Sequence, residues 1–282
     1  MKKGAFSGKK RILILVLAAA CLLAGLIFVW HVTRESGPPP TTQLPVLAYH
    51  RILSMDLYYP NHVDNGWVLS DEVFEEQMRY LYDSGFQTIT AAQLAGFLHR
   101  GEDLPPNAIL ITFDDGYLDN AVFAYPIMRQ FGFTGIVYVI TSVVPEEQIP
   151  LLSCAIQYMS FADMEETLGA FEFGSHTHDM HHSVDGEPRL VREGVEEIRA
   201  DLRKSFAHDL IRLEAGFAYP YGRYSENAMA ALEAEGVAFA LTTAWGYVER
   251  DTNPFRLPRF SIASDFTPEL FSRVVRGEWA PE

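Results

Sequence analysis

The sequence predicts an α/β fold: a mainly parallel sheet, closed as one barrel, with helices outside it. Three observations carry this. Strand-like and helix-like segments alternate along most of the chain. Four short strand-like segments, 45–50, 109–115, 171–176 and 217–222, each end in polar, chemically capable residues. About 240 residues holding this many strands fit one barrel better than two domains. In parallel α/β folds catalytic groups sit at the carboxyl ends of strands, so the repeated placement says more than any single motif.

The elements follow in order. Ser70 caps a helix running to about Asp83, with Phe74, Met78 and Leu81 on one stripe. Gly85 ends it, and 86–90 reads as a strand. A helix over 91–99 leads through Leu104, Pro105 and Pro106 into the strand that begins at Ile109. After Asp115 come a helix over 120–131, a β-rich 135–141 and a long loop with helical pieces. The segment 193–207 reads as an amphipathic, exposed helix. A helix over 225–235 ends at Gly236, and 238–243 is the next strand.

The first residues differ from the rest. Lys2, Lys3, Lys9, Lys10 and Arg11 make a basic start over 1–11, and 12–32 carries no carboxylate, lysine or arginine. Its 21 residues, at ~1.5 Å each, suffice for the ~30 Å apolar core of a bilayer. The basic flank marks the cytoplasmic side, so a single membrane anchor with the remainder outside is expected. A cleaved signal peptide and a lipoprotein site at Cys21 fit less well, because the apolar run continues to Trp30. A stiff linker spans 33–43 with three prolines, and the domain proper spans 44–282. Cys154 is the one cysteine of that domain, which excludes an internal disulfide, and it reads as a buried small hydrophobe.

Without the five basic residues of the start, 17 lysines and arginines face 37 carboxylates, a net of −20. Nucleic acid wants basic patches, so it is excluded as a partner. A cationic polymer is compatible with such a surface.

Asp114-Asp115 follows a continuous apolar strand and precedes Gly116. Asp-Asp-Gly also suits a plain turn, but the strand in front and the histidines elsewhere favour chemistry. At a strand end one aspartate can serve as a metal ligand and the other as a base. Four of the nine histidines fall within 176–182. Two of them with Asp115 would make a three-ligand site with an open position for water, the catalytic form of a metal centre. His176 is the first ligand; for the second the order is His181, His182, His178. In 217–222, Pro220 and Gly222 can place a backbone N–H where an oxyanion forms, and Tyr219 and Tyr221 can line a sugar groove. His50 ends the first strand and by itself identifies no role.

Thr112-Phe113-Asp114-Asp115-Gly116 together with Ser175-His176-Thr177 resembles the polysaccharide deacetylases with a NodB-homology domain, carbohydrate esterase family 4. The resemblance covers roughly 44–265. It implies a distorted, incomplete (β/α) barrel and hydrolytic removal of acetyl groups from N-acetylglucosamine units of a polysaccharide. It also implies one divalent ion, Zn²⁺ first and Ni²⁺, Co²⁺ or Fe²⁺ as alternatives. The family usually places its second histidine four residues after the first; here position 180 is Met and the spacing to His181 is five. That departure, and Tyr49-His50-Arg51 at the front, resemble the branch acting on the biofilm polymer poly-β-1,6-N-acetylglucosamine, the intercellular-adhesin deacetylases. The branch resemblance implies a circular permutation, with His50 as the catalytic acid and Asp114 as the base. The family's third motif commonly starts with Arg, but Ala218 and Tyr219 stand there, so Arg256 or Arg259 is left to orient the base. With the chain ending at Glu282, the second, glycan-hydrolase-like domain of some relatives is not expected. A peptidoglycan deacetylase and an inactive, tethered glycan-binding module are the alternatives.

Overall fold

The computed structural model describes Leu23 and residues 39–58, 65–152 and 155–281. Apart from Leu23, the anchor expected over 12–32 lies outside those residues, as does Cys154. Among the described residues no helix is long and apolar enough to cross a membrane.

The main sheet has eight strands: β1 (Val46–Tyr49), β2 (Gln87–Thr88), β3 (Ala108–Phe113), β4 (Gly135–Val139), β5 (Phe171–Ser175), β6 (Phe217–Ala218), β7 (Ala240–Leu241) and β8 (Phe260–Ser261). All pair in parallel, in the order β7-β6-β5-β4-β3-β1-β8, with β2 joined to the start of β3. The segment entering β8 meets both edges. Leu257 bridges Leu241 of β7, and Phe260 pairs with Leu47 of β1. The sheet therefore curls into a barrel whose last side is a broken strand, as the resemblance implied.

Strand alternation sorts the side chains. Val46, Leu110, Ile136, Tyr138, Ala218 and Leu241 pack together inside the barrel, and Leu94 and Phe97 of the helix Ala91–His99 join them. Leu47, Ile109, Ile111, Phe113, Val137 and Phe171 face outward, onto Phe74, Met78 and Leu81 of the helix Asp71–Asp83 and its neighbours. The same parity carries Thr112 to Asp114 and Gly174 to His176 on the inner face.

The strand expected over 238–243 is only Ala240–Leu241, and that over 217–222 is Phe217–Ala218 followed by a 3₁₀ turn; two further elements differ for visible reasons. The strand expected over 86–90 is only Gln87–Thr88, because Phe86 still donates to Leu81 O of the preceding helix and Thr90 already caps the next one. The helix expected over 120–131 opens with a π-turn, Asn120–Ala124, before the α-helix Tyr125–Phe131. Pro126 has no N–H to donate into the preceding turn, so the regular ladder starts only beyond it.

Candidate active site

At the carboxyl ends of the strands lies a cavity of about 560 Å³, lined by His50, Asp114, Asp115, His176, His181 and Tyr221 among others. These come from four separate strand ends, as the sequence placed them.

Asp114 leaves β3 on the inner face. Arg259, fully buried, donates to both of its oxygens, Nη1 to Oδ1 at 2.8 Å and Nη2 to Oδ2 at 2.7 Å. The guanidinium is itself fixed by Thr242 O at 2.9 Å and Thr112 Oγ1 at 3.1 Å. Burial alone would raise the Asp114 pKa. The adjacent Arg259 charge and its hydrogen bonds outweigh burial and hold the carboxyl well below its usual range. Arg256 lies elsewhere, bonded to Glu226 at 2.7 Å and stacked over Tyr224. Of the two arginines weighed, Arg259 alone touches Asp114.

Asp115 turns out of the strand with φ 72°, and Gly116 follows at φ 76°. Its Oδ1 is buried and accepts no hydrogen bond. That atom lies 3.4 Å from His176 Nε2 and 3.3 Å from His181 Nε2. One ligand atom from each of the three residues lies within 4.8 Å of the others. His176 Nδ1 is 2.7 Å from Ala218 O; a carbonyl can only accept, so Nδ1 carries the proton and Nε2 the lone pair. Burial, then the neighbouring His181, lowers His176 to about 4, which keeps it neutral, the ligand form. A buried carboxylate oxygen without a donor, facing two imidazole nitrogens, fits a divalent metal ion. His182 is exposed and His178 Nδ1 meets Thr141 Oγ1 at 3.0 Å; neither belongs to this group.

His50 packs its ring against Trp67, with centroids 4.6 Å apart. Its carbonyl accepts from Asn120 Nδ2 at 2.7 Å, in the π-turn, and its Nδ1 is buried without a partner. Tyr221 has φ 58° and half of its surface exposed, and its ring centroid is 4.8 Å from that of His181. Tyr219, expected to line a groove with it, lies off the cavity. It is fully buried among Phe217, Ala228 and Leu232, and its hydroxyl donates to Phe255 O at 3.1 Å. Residues two apart on a strand share a face, and Phe217 already points outward. At Gly222 a Cβ would meet Thr243 N at 2.6 Å and Thr243 Oγ1 closer still, so only glycine lets this turn approach the next strand.

Sequence reasoning missed Trp67, Tyr117 and Thr243, which also line the cavity. Trp67 arrives because Arg51–Leu53, directly after His50, pairs with Val68–Ser70, and Arg51 N donates to Trp67 O at 3.2 Å. Each of these runs is three residues long, which leaves no periodic signal in the sequence.

The family model for polysaccharide deacetylase matches residues 101–240. A poly-beta-1,6-N-acetyl-D-glucosamine N-deacetylase of Staphylococcus aureus strain MRSA252 is 25% identical over 285 residues, 94% of this chain and 96% of that one. IcaB from Ammonifex degensii superposes with a TM-score of 0.68 at 22% identity, over 86% of this chain and all of that one. The Streptococcus pyogenes deacetylase PplD, solved in complex with acetate, gives 0.68 at 22%, over 84% and 99%. At those identities the two structures establish the fold.

Proposed function

Because the chain belongs to the polysaccharide deacetylases, hydrolases of carbon–nitrogen bonds, we propose that it removes acetyl groups from N-acetylglucosamine units of an extracellular polysaccharide, poly-β-1,6-N-acetylglucosamine of biofilm. Asp115, His176 and His181 would hold one divalent ion, Zn²⁺ first, with Ni²⁺, Co²⁺ or Fe²⁺ open to the same ligands. Such an ion supplies polarisation of the acetamide carbonyl and a bound water whose pKa falls toward ~7.

The remaining steps belong to the chain's own groups. Asp114, kept ionised by Arg259, accepts a proton from the attacking water. The Tyr221 backbone N–H donates to the tetrahedral oxyanion, a kind of interaction worth roughly 3 kcal/mol. His50 donates a proton to the departing nitrogen as the C–N bond breaks, because an amine expelled as an anion is prohibitively basic. Acetate and a free amine result. The observation that carries the reading is the donor-free Asp115 Oδ1 between two imidazole Nε2 atoms, beside a clamped Asp114. The S. aureus relative's name supports the polymer, and the acidic surface suits a product that gains positive charge. The anchor over 12–32 would hold the domain at the outer face of the membrane.

The deciding experiment measures acetate release by the full-length, metal-supplemented protein from poly-β-1,6-N-acetylglucosamine and from peptidoglycan. Release from peptidoglycan alone reassigns the polymer. Release from neither overturns the enzymatic reading in favour of a glycan-binding module. Recovery of the full-length chain in the cytosol of fractionated cells overturns the anchor.

A further inference from the structure

We propose that Asp201 is a positioning residue for the loop that carries His181, and that the helix Val195–Ser205 thereby sets where the second histidine stands; this rests on the metal site proposed above. The two histidines are held by different parts of the molecule. His176 is gripped by the barrel on both sides, its N–H donating to Val139 O at 2.9 Å and its Nδ1 to Ala218 O at 2.7 Å. His181 stands five residues on, its side chain 21% exposed, at the end of a loop that leaves the barrel at once.

The loop's course is fixed from outside the barrel. Thr177 takes φ 77°, a left-handed conformation costly for a β-branched residue. Its N–H donates to Ser175 Oγ at 3.1 Å, and its hydroxyl accepts from Met180 N at 3.2 Å. The two amides after this turn both go to one side chain. His178 N donates to Asp201 Oδ2 and Asp179 N to Asp201 Oδ1, each at 2.8 Å. Asp201 is 7% exposed, and a carboxylate satisfying two consecutive N–H groups makes charge-assisted bonds. The same helix packs Ile198 and Leu202 with Met180, and its Ser205 Oγ lies 2.7 Å from Ser175 Oγ. With Met180 turned into that cluster, the ligand falls one residue later. Asp201 does not line the cavity, so its influence on the site passes through the loop.

Asp201→Asn would offer one acceptor and one donor where two N–H groups arrive, and so frees half of the turn. The test is a Co²⁺ titration of the full-length protein, read by visible absorption. Wild type is expected to bind, and Asp201→Asn to raise the Kd at least about 10-fold, the usual scale for residues that orient ligands. Ser205→Ala keeps the carboxylate and is expected to stay within about 3-fold. A wild-type Kd in Asp201→Asn overturns the proposal, and so does an equal loss in Ser205→Ala, which would mean that helix docking in general is responsible. Hydrogen exchange of the metal-free wild type covers the case in which Asp201→Asn does not fold. The peptide spanning 177–182 is expected to be protected, and rapid exchange there overturns the proposal. A wild type that binds no Co²⁺ overturns the metal site itself, whereas an unaffected Asp201→Asn leaves that site standing.

Discussion

Arg259 and Asp114 meet fork to fork inside the barrel, joined by two parallel hydrogen bonds of 2.8 and 2.7 Å although 145 residues separate them. A second buried pair, Arg51 and Asp119, lies near the same cavity and is built differently. Arg51 Nε donates to one oxygen of Asp119 at 2.7 Å, and the other oxygen has no partner. The consequence is opposite in sign. The doubly bonded Asp114 is held below the usual carboxylate range against its burial. For Asp119 burial prevails over Arg51 and pushes the carboxyl up to about 6.

Replacing Arg259 tests the first pair. Lysine keeps the charge but offers a point donor, so the bidentate grip is lost. Arg259→Lys is expected to fold and to shift the acid limb of acetate release to higher pH, since the Asp114 pKa rises when its partner weakens. Arg259→Ala leaves a buried carboxylate unpaired and should cost about 3–5 kcal/mol of stability by urea unfolding. The Asp114 contribution is present above the ordinary value of 3.8 and fades only as pH falls below it. A full-rate, unshifted Arg259→Lys profile would remove Arg259 from the mechanism.

Asp119 tests the second pair through linkage. A carboxyl whose pKa is raised in the folded chain keeps its proton after the unfolded chain has released it. Folding stability from this group therefore falls as pH climbs from 3.8 to about 6 and is level above. Urea midpoints measured between pH 4 and 7 should show that slope in wild type and a flatter one in Asp119→Asn. Identical slopes in the two proteins would contradict the raised value.

The strand ends were legible because alternation is local: an apolar run with a polar terminus fixes both the element and the face of its last residue. Parity alone would have separated Arg259 from Arg256, since Leu257 and Arg259 share a face on the way into β8, and would have sent Tyr219 outward with Phe217. The anchor residues of the histidine loop were not legible. Asp201 lies 22 and 23 residues from the amides it accepts, on a helix whose sequence reads only as amphipathic. Trp67 reaches His50 through pairing of two three-residue strands, too short for a periodic signal.

The ligand set makes a separable prediction. Asp115→Asn and His176→Ala are expected to lose metal and activity together, as measured by elemental analysis and acetate release. His181→Ala should lose most of its metal. His182→Ala, whose residue is exposed and outside the group, should keep both. Full occupancy in Asp115→Asn and His176→Ala would contradict the site; occupancy kept by His181→Ala and lost by His182→Ala would exchange the two histidines.

His50 offers the sharpest separation of acid from metal chemistry. Its ring sits against Trp67 at the cavity wall and is not one of the three clustered ligands, so removing it should leave metal binding intact. General-acid assistance contributes roughly 10²–10⁴-fold. His50→Ala is therefore expected to lower kcat for the acetamide polymer by about that factor, with metal content unchanged. The loss should depend on the leaving group. An amine needs a proton to depart, whereas a nitrophenolate leaves as a stable anion, so hydrolysis of 4-nitrophenyl acetate should differ little between wild type and His50→Ala. Asp114→Asn removes the group that takes the water's proton, a step common to both substrates, and should slow both. Equal losses on the amide and the aryl ester in His50→Ala would mean that this histidine serves some step other than protonating the amine.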